Sequence, residues 1–107
     1  MKQTLKFEVE LDENHLPLNI KMKSSDSINN KELIKALMVS AWASKTKETL
    51  RIDLWTKDMP VSEMFIMYHQ TLMSMAATLE KSTGQSKLAA ALRDYCDFFS
   101  EQTQIKA

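Results

Sequence analysis

Residues 4–23 read TLKFEVELDENHLPLNIKMK, and this stretch decides the fold class. Its first half alternates apolar and polar residues, which is typical of a strand that buries one face. Residues 12–15 supply turn chemistry, and the alternation then resumes through residue 23. The stretch therefore predicts an antiparallel hairpin with a four-residue connection. Pro17, which cannot donate a ladder hydrogen bond, predicts that the second strand lies at a sheet edge.

The next two patterns predict a helix and a third strand. Residues 31–44 carry apolar side chains at helical spacing, and Asn29 with Glu32 resembles a capping pair at the start of a helix. The apolar residues of this predicted helix are Leu33, Ile34, Leu37, Met38, Ala41 and Trp42. Residues 49–55 alternate again, with Leu50, Ile52 and Leu54 on the predicted buried face and Trp55 on the opposite face.

The C-terminal half predicts two helices. Pro60 is tolerated in the first turn of the longer helix, and Gly84 is a typical C-terminal stop. The predicted buried stripe of this helix comprises Val61, Met64, Phe65, Tyr68, Leu72, Met75, Ala76 and Leu79. Ser86 can cap the last helix, whose predicted stripe comprises Leu88, Ala91, Leu92, Tyr95, Phe98 and Phe99.

These elements predict one α+β domain over residues 1–107. The order β-β-α-β-α-α favours two layers, with a three-stranded sheet in the strand order 2-1-3 packed against the helices. A chain of 107 residues is of ordinary length for one domain, and 44% hydrophobic with 26% charged residues is typical of globular proteins.

Charge and cysteine usage limit the partners and the compartment. Fourteen basic and fourteen acidic side chains cancel, so we expect no nucleic-acid binding. No stretch approaches 18 consecutive apolar residues, so we expect no membrane insertion. The N-terminal residues lack the apolar run of a signal peptide, and the single Cys96 suits a reducing compartment. We therefore expect a cytoplasmic protein.

No residue pattern indicates catalysis, a metal or a cofactor. His15 falls in a turn, and His69 borders the predicted stripe of the long helix without a nearby nucleophile or orienting carboxylate. Cys96 falls at the edge of a stripe, which predicts a buried, unreactive thiol. Arg51 and Asp53, two residues apart on one strand face, predict a surface ion pair. We therefore expect a protein that is not an enzyme, with no catalytic, cofactor-binding or metal residues and no cofactor.

A second set of apolar residues lies away from the predicted core. Trp55 is on the outward face of its strand, and Met59, Ile66 and Met73 recur every seven residues on the long helix. Either the last helix covers the methionine-containing stripe, or the stripe binds a partner. We take Trp55, Met59, Ile66 and Met73 as the candidate partner surface, used in a homodimer or in a stable complex with another protein.

Four runs of residues, spread over nearly the whole chain, resemble one family. They are residues 50–61 (LRIDLWTKDMPV), residues 69–72 (HQTL) and residues 93–97 (RDYCD), together with the opening residues 7–14 (FEVELDEN). The chain resembles the gliding-motility protein GldC family of Bacteroidetes. The resemblance implies an accessory component of the gliding apparatus with protein partners in that machinery and no catalytic residues. Lysines in the family pattern stand where this chain has Phe65 and Ile66.

Three functions stay open on the sequence. The leading hypothesis is a protein-interaction component of the gliding apparatus. The alternative is a small-ligand-binding α+β domain with a pocket between sheet and helices, which would need a cavity with converging polar groups. An enzyme of unfamiliar type would need a cleft with strongly perturbed ionisable groups.

The predicted core can be tested by two substitutions. Leu72→Ala should destabilise the fold by about 2–5 kcal/mol, because it removes a large side chain from a packed stripe. Trp55→Ala should cost much less, because Trp55 faces outward. Urea titration measures both, and equal losses would mean that the third predicted strand faces the other way.

Overall fold

The computed structural model describes residues 1–25 and 31–105, which fall into two units, Met1–Met59 and Pro60–Ala107. Five strands form the first unit and two helices form the second. In chain order the elements are β1 (Leu5–Leu11), β2 (Pro17–Ser24), β3 (Lys31–Ile34), β4 (Ala36–Ala43), β5 (Glu48–Trp55), α1 (Val61–Thr83) and α2 (Ser86–Thr103). The coarse prediction of an α+β protein is confirmed.

The predicted N-terminal hairpin is confirmed. β1 and β2 pair antiparallel, with Val9 opposite Ile20. In the turn, one carboxylate oxygen of Asp12 accepts hydrogen bonds from the backbone N–H groups of Asn14 at 2.8 Å and Leu16 at 2.9 Å. His15 takes the left-handed backbone conformation at φ 63°, which closes the turn.

The predicted helix over residues 31–44 is wrong. Residues 31–34 form β3, which pairs antiparallel with β2, and residues 36–43 form β4, which pairs antiparallel with β5. Residues 36–43 read ALMVSAWA, so apolar residues occur at both helical and strand spacing and the pattern alone does not choose. Pairing with β5 stabilises the strand conformation of residues 36–43, because the apolar residues of β4 then lie opposite those of β5. The predicted cap at Asn29 lies outside the described residues.

The predicted strand order 2-1-3 is also wrong. The predicted third strand exists as β5, but it pairs with β4 in a two-stranded sheet, whereas β1, β2 and β3 form a separate sheet in that order. β2 is therefore a central strand and not an edge. Pro17 is tolerated because it is the first residue of β2, three residues before the pairing with β3 begins at Ile20.

The ends of the two helices follow the sequence signals closely. Pro60 precedes the first residue of α1, and Gly84 ends α1 in the left-handed conformation at φ 72°. The N–H of Gly84 donates to the carbonyl oxygen of Glu80 at 2.8 Å. α2 begins at Ser86 without a side-chain cap, so Ser86 is its first residue and not its cap.

Small residues and one aromatic cluster join α1 to α2. Ala76 on α1 and Ala89 and Cys96 on α2 are completely buried. Phe99 of α2 lies between Phe65, Tyr68 and His69 of α1, with ring centroids 6.2–6.5 Å apart. Arg93 donates a hydrogen bond to Glu80 at 2.9 Å across the pair of helices. The single domain and the packing of sheet on helices stay predictions.

One ion pair fixes the N-terminal turn to the end of β5. Lys57, two residues after β5, pairs with the second carboxylate oxygen of Asp12, whose side chain is only 13% exposed. The hydrogen bond from Lys57 and those from the backbone of Leu16 and Asn14 lower the pKa of Asp12. A carboxylate with a lowered pKa stabilises the fold above its unfolded pKa and loses that effect as the pH falls.

We therefore expect Asp12→Asn to lower the free energy of unfolding at pH 7. The difference from the wild type should shrink as the pH falls below 3.8, the ordinary pKa of the group. Urea unfolding at pH 7 and at about pH 3 measures this, with Glu13→Gln in the same turn as the control. A difference that is equal at both pH values would contradict the ionic role of Asp12.

Candidate functional site

Large apolar side chains are exposed in both units. Among the described residues, the buried hydrophobic residues are Ile20, Ala76, Ala89 and Cys96. Both tryptophans are mostly exposed, Trp42 at 66% and Trp55 at 58%. Isolated apolar side chains on a surface are ordinary, but contiguous apolar patches mark binding sites. Contiguous apolar side chains are therefore the candidates for a functional site.

The β4–β5 sheet has one wholly apolar face over its central pairs. Directly paired residues of an antiparallel ladder share a face, and on this face they are Leu37 with Leu54, Val39 with Ile52 and Ala41 with Leu50. Leu50 and Ile52 are 57% and 54% exposed. The prediction that these two side chains are buried is wrong, because the described residues of the first unit do not cover them. We call the six residues the hairpin face.

The opposite face of the same sheet is polar at its centre and aromatic at its ends. The Arg51 guanidinium donates to Asp53 at 2.5 Å on its own strand and to the Ser40 hydroxyl at 2.8 Å on β4. The predicted surface pair of Arg51 and Asp53 is thus confirmed. Trp42 and Trp55 lie at opposite ends of this face, since Trp42 pairs with Thr49 and Trp55 with Ala36. Trp55 is exposed, as predicted.

The four residues of the candidate partner surface fall in both units. Trp55 and Met59 belong to the first unit, and Met59 is half-buried. Met59 precedes α1, so the prediction that it lies on the long helix with Ile66 and Met73 is wrong. Ile66 and Met73 lie seven residues apart on α1, which places them on one face of that helix, and each is 41% exposed. α2 therefore does not cover these two side chains. That all four residues act as one partner surface stays a prediction.

Part of the predicted helical core is exposed as well. On α1 the side chains of Val61, Tyr68 and Met75 are exposed, and on α2 those of Leu88, Tyr95 and Phe98 are exposed. Leu72 is half-buried. Apolar periodicity predicted one buried stripe for each helix, but two helices alone bury only the residues that face each other. The sequence signal for this surface is a stripe wider than one neighbouring helix can cover.

The ionisable residues form no reactive cluster in the part of the chain that the structure describes. His15 is exposed, and His69 stacks on Phe99 with ring centroids 6.5 Å apart. The predicted burial of Cys96 is confirmed, and burial, followed by the charge of Asp97, raises the pKa of its thiol. Within the described ranges, no group of three or more His, Cys, Asp or Glu could hold a metal ion.

A cleft within the first unit lies at the end of β5. It has a volume of about 290 Å³ and is lined by Leu16, Pro17, Asp53, Leu54, Trp55 and Lys57. Its walls are mainly apolar. No helix in the described residues is both long enough and apolar enough to cross a membrane.

The fold and this surface define the class. It is a small α+β protein with two antiparallel sheets in one unit and a helical hairpin in the other. Apolar side chains are exposed in both units. A family model described as gliding motility-associated protein GldC-like matches residues 17–105, which is most of the chain. The chain therefore belongs to the GldC-like family of gliding motility-associated proteins, as the resemblance predicted. Comparison with curated proteins and with solved structures gave no match.

Proposed function

We propose that this protein is a non-enzymatic accessory component of the gliding-motility apparatus of a bacterium of the Bacteroidetes, and that it acts by binding other polypeptides. Membership of the GldC-like family supports the process. The hairpin face, on which Leu50 and Ile52 are exposed, supports the mode of action and is the observation that carries the proposal. Apolar side chains that are contiguous and exposed favour association with another protein surface.

The placement of the ionisable residues supports binding over catalysis. A nucleophile needs a base within hydrogen-bond reach, and the base needs a group that orients it. The Cys96 thiol is completely buried, and its raised pKa favours the unreactive protonated form. His69 packs against an aromatic ring. These residues have structural roles in the pair of helices.

We propose that the partners are proteins of the gliding machinery and a second copy of this chain. The balanced charge argues against nucleic acid, because binding to phosphates requires a basic surface. The same balance and the lack of a long apolar helix in the described residues fit a cytoplasmic protein that is not inserted in a membrane.

We propose that three exposed residues, Trp55, Ile66 and Met73, anchor the partners. Met59 is half-buried and contributes less contact area. Tryptophan is enriched among the residues that dominate binding energies, because its large ring is dehydrated on contact. Methionine adapts to irregular surfaces. The three anchors are exposed by 41–58%, so a partner can cover them without rearrangement of the fold.

The proposal predicts loss of partners when a charge is placed among these anchors. In a gliding bacterium that lacks its own GldC-like protein, the wild-type chain should restore colony spreading and co-purify with components of the gliding apparatus. Ile66→Glu should reduce the co-purified amount about tenfold or more, because a buried unpaired charge is costly in an interface.

Thr78→Glu is the matched control, because Thr78 is an exposed polar residue about 120–140° around α1 from Ile66 and Met73. This variant should behave like the wild type, and far-UV circular dichroism should show that both variants are folded. A wild-type chain that restores spreading but loses no partner in the Ile66→Glu variant would contradict the proposed surface. Detection of catalytic turnover in the purified chain would contradict the proposed class of function.

A further inference from the structure

The outer edge of β5 is an unpaired strand edge. β4 and β5 form a two-stranded sheet, and in the described part of the chain no strand pairs with the other side of β5. Natural edges are commonly protected by charged side chains, above all lysine, by proline or by bulges. β5 reads ETLRIDLW: it has no lysine or proline, its ladder with β4 runs without a register shift, and its central charges, Arg51 and Asp53, have opposite signs. An isolated two-stranded sheet is only marginally stable, and a third strand or packing against a helix increases its stability.

The hydrogen-bonding groups on this edge can be assigned from the ladder. The N–H of Thr56 donates to the carbonyl oxygen of Lys35 at 2.8 Å, so Thr56 and Lys35 form a hydrogen-bonded pair. Along an antiparallel ladder, hydrogen-bonded pairs alternate with pairs that are not hydrogen-bonded. Leu50, Ile52 and Leu54 therefore direct their backbone groups toward β4. The backbone N–H and C=O groups of Thr49, Arg51, Asp53 and Trp55 point toward the free edge.

The side chains along β5 are complementary to themselves in one antiparallel register. If Ile52 lies opposite Ile52 of a second copy, Arg51 faces Asp53 of that copy and Leu50 faces Leu54. Opposite charges and apolar pairs directly across two strands each stabilise a sheet. In this register the hydrogen-bonded pairs join Arg51 to Asp53, which are the residues whose backbone groups point to the free edge.

Neighbouring registers lack this match. A two-fold axis at Arg51 places two guanidinium groups opposite each other, and an axis at Asp53 places two carboxylates opposite each other, which destabilises the pair. The outer edge of β4 offers no charges that could fix a register, because its residues 36–43 are ALMVSAWA. The charge pattern therefore selects β5 and the register centred on Ile52.

We propose that β5 pairs antiparallel with β5 of a second copy about a two-fold axis at Ile52, which joins the two β4–β5 sheets into one sheet of four strands. This inference deepens the proposed binding function and rests on it. The hairpin faces of both copies become one continuous apolar face.

Disulfide trapping tests the register. Ile52→Cys in a chain that also carries Cys96→Ala should form a disulfide-linked dimer under mild oxidation, because non-hydrogen-bonded opposite residues have Cα atoms about 4.5 Å apart. Leu50→Cys is the matched control, since Leu50 lies on the same face with similar exposure. Its counterpart would be four residues out of register, about 13 Å away. Equal trapping at both positions, or trapping at neither, overturns the register.

Complementary charge variants test the pairing without a cysteine. The Arg51→Asp chain presents two carboxylates and the Asp53→Arg chain presents two guanidinium groups, so each should dimerise at least about tenfold more weakly than the wild type. An equimolar mixture should associate nearly as tightly as the wild type, because each copy then faces the opposite charge. If a substitution weakened dimerisation only by destabilising its own chain, mixing the two variants would not restore tight association. A mixture as weak as its components overturns the pairing.

Sedimentation separates this inference from the proposed function. A wild-type chain that stays monomeric but still co-purifies with the gliding apparatus overturns the β5 pairing and leaves the binding function standing. A dimer with the disulfide pattern above that binds no component of the apparatus supports the pairing and contradicts the proposed role in gliding. The two proposals therefore fail on different measurements.

Discussion

The antiparallel ladder between β4 and β5 determines which side chains share each face of this two-stranded sheet. Direct pairing gathers Leu50, Ile52 and Leu54 with their apolar partners of β4 on one face and leaves Arg51 with Asp53 on the other. It also directs one set of backbone groups inward and the other toward a free edge. Both the exposed apolar face and the unpaired edge follow from this single ladder, and a slip by one residue would exchange the two faces.

The second unit follows the same principle with different geometry. Two helices joined by a short turn can bury only the residues that face each other, and small residues such as Ala76 and Ala89 allow the close approach. The wider apolar stripes therefore extend beyond the contact between α1 and α2. The chain belongs to the GldC-like family of gliding motility-associated proteins. Exposed apolar surfaces on both units fit a protein whose partners complete what its own chain leaves uncovered.

Local signals in the sequence predicted the elements that local chemistry determines. Alternation with turn residues located the β1–β2 hairpin, Pro60 and Gly84 located the ends of α1, and the alternation in residues 49–55 located β5. Residues 31–44 could not be assigned, because their apolar residues fit both periods and only pairing with β2 and β5 decides. Trp55 was correctly predicted to be exposed, but the exposure of Leu50 and Ile52 was missed. Strand alternation shows which side chains share a face, and it does not show whether anything covers that face.

The central claim is that the free edge of β5 binds a second copy of the chain. Amide hydrogen exchange along β5, measured as a function of protein concentration, tests this claim most directly. The N–H groups of Arg51 and Asp53 point away from β4 and are free to exchange in a monomer. If β5 pairs with a second copy, their protection should rise with concentration, while Leu50, Ile52 and Leu54 are protected by β4 at every concentration. Protection of Arg51 and Asp53 that does not change with concentration would contradict the account.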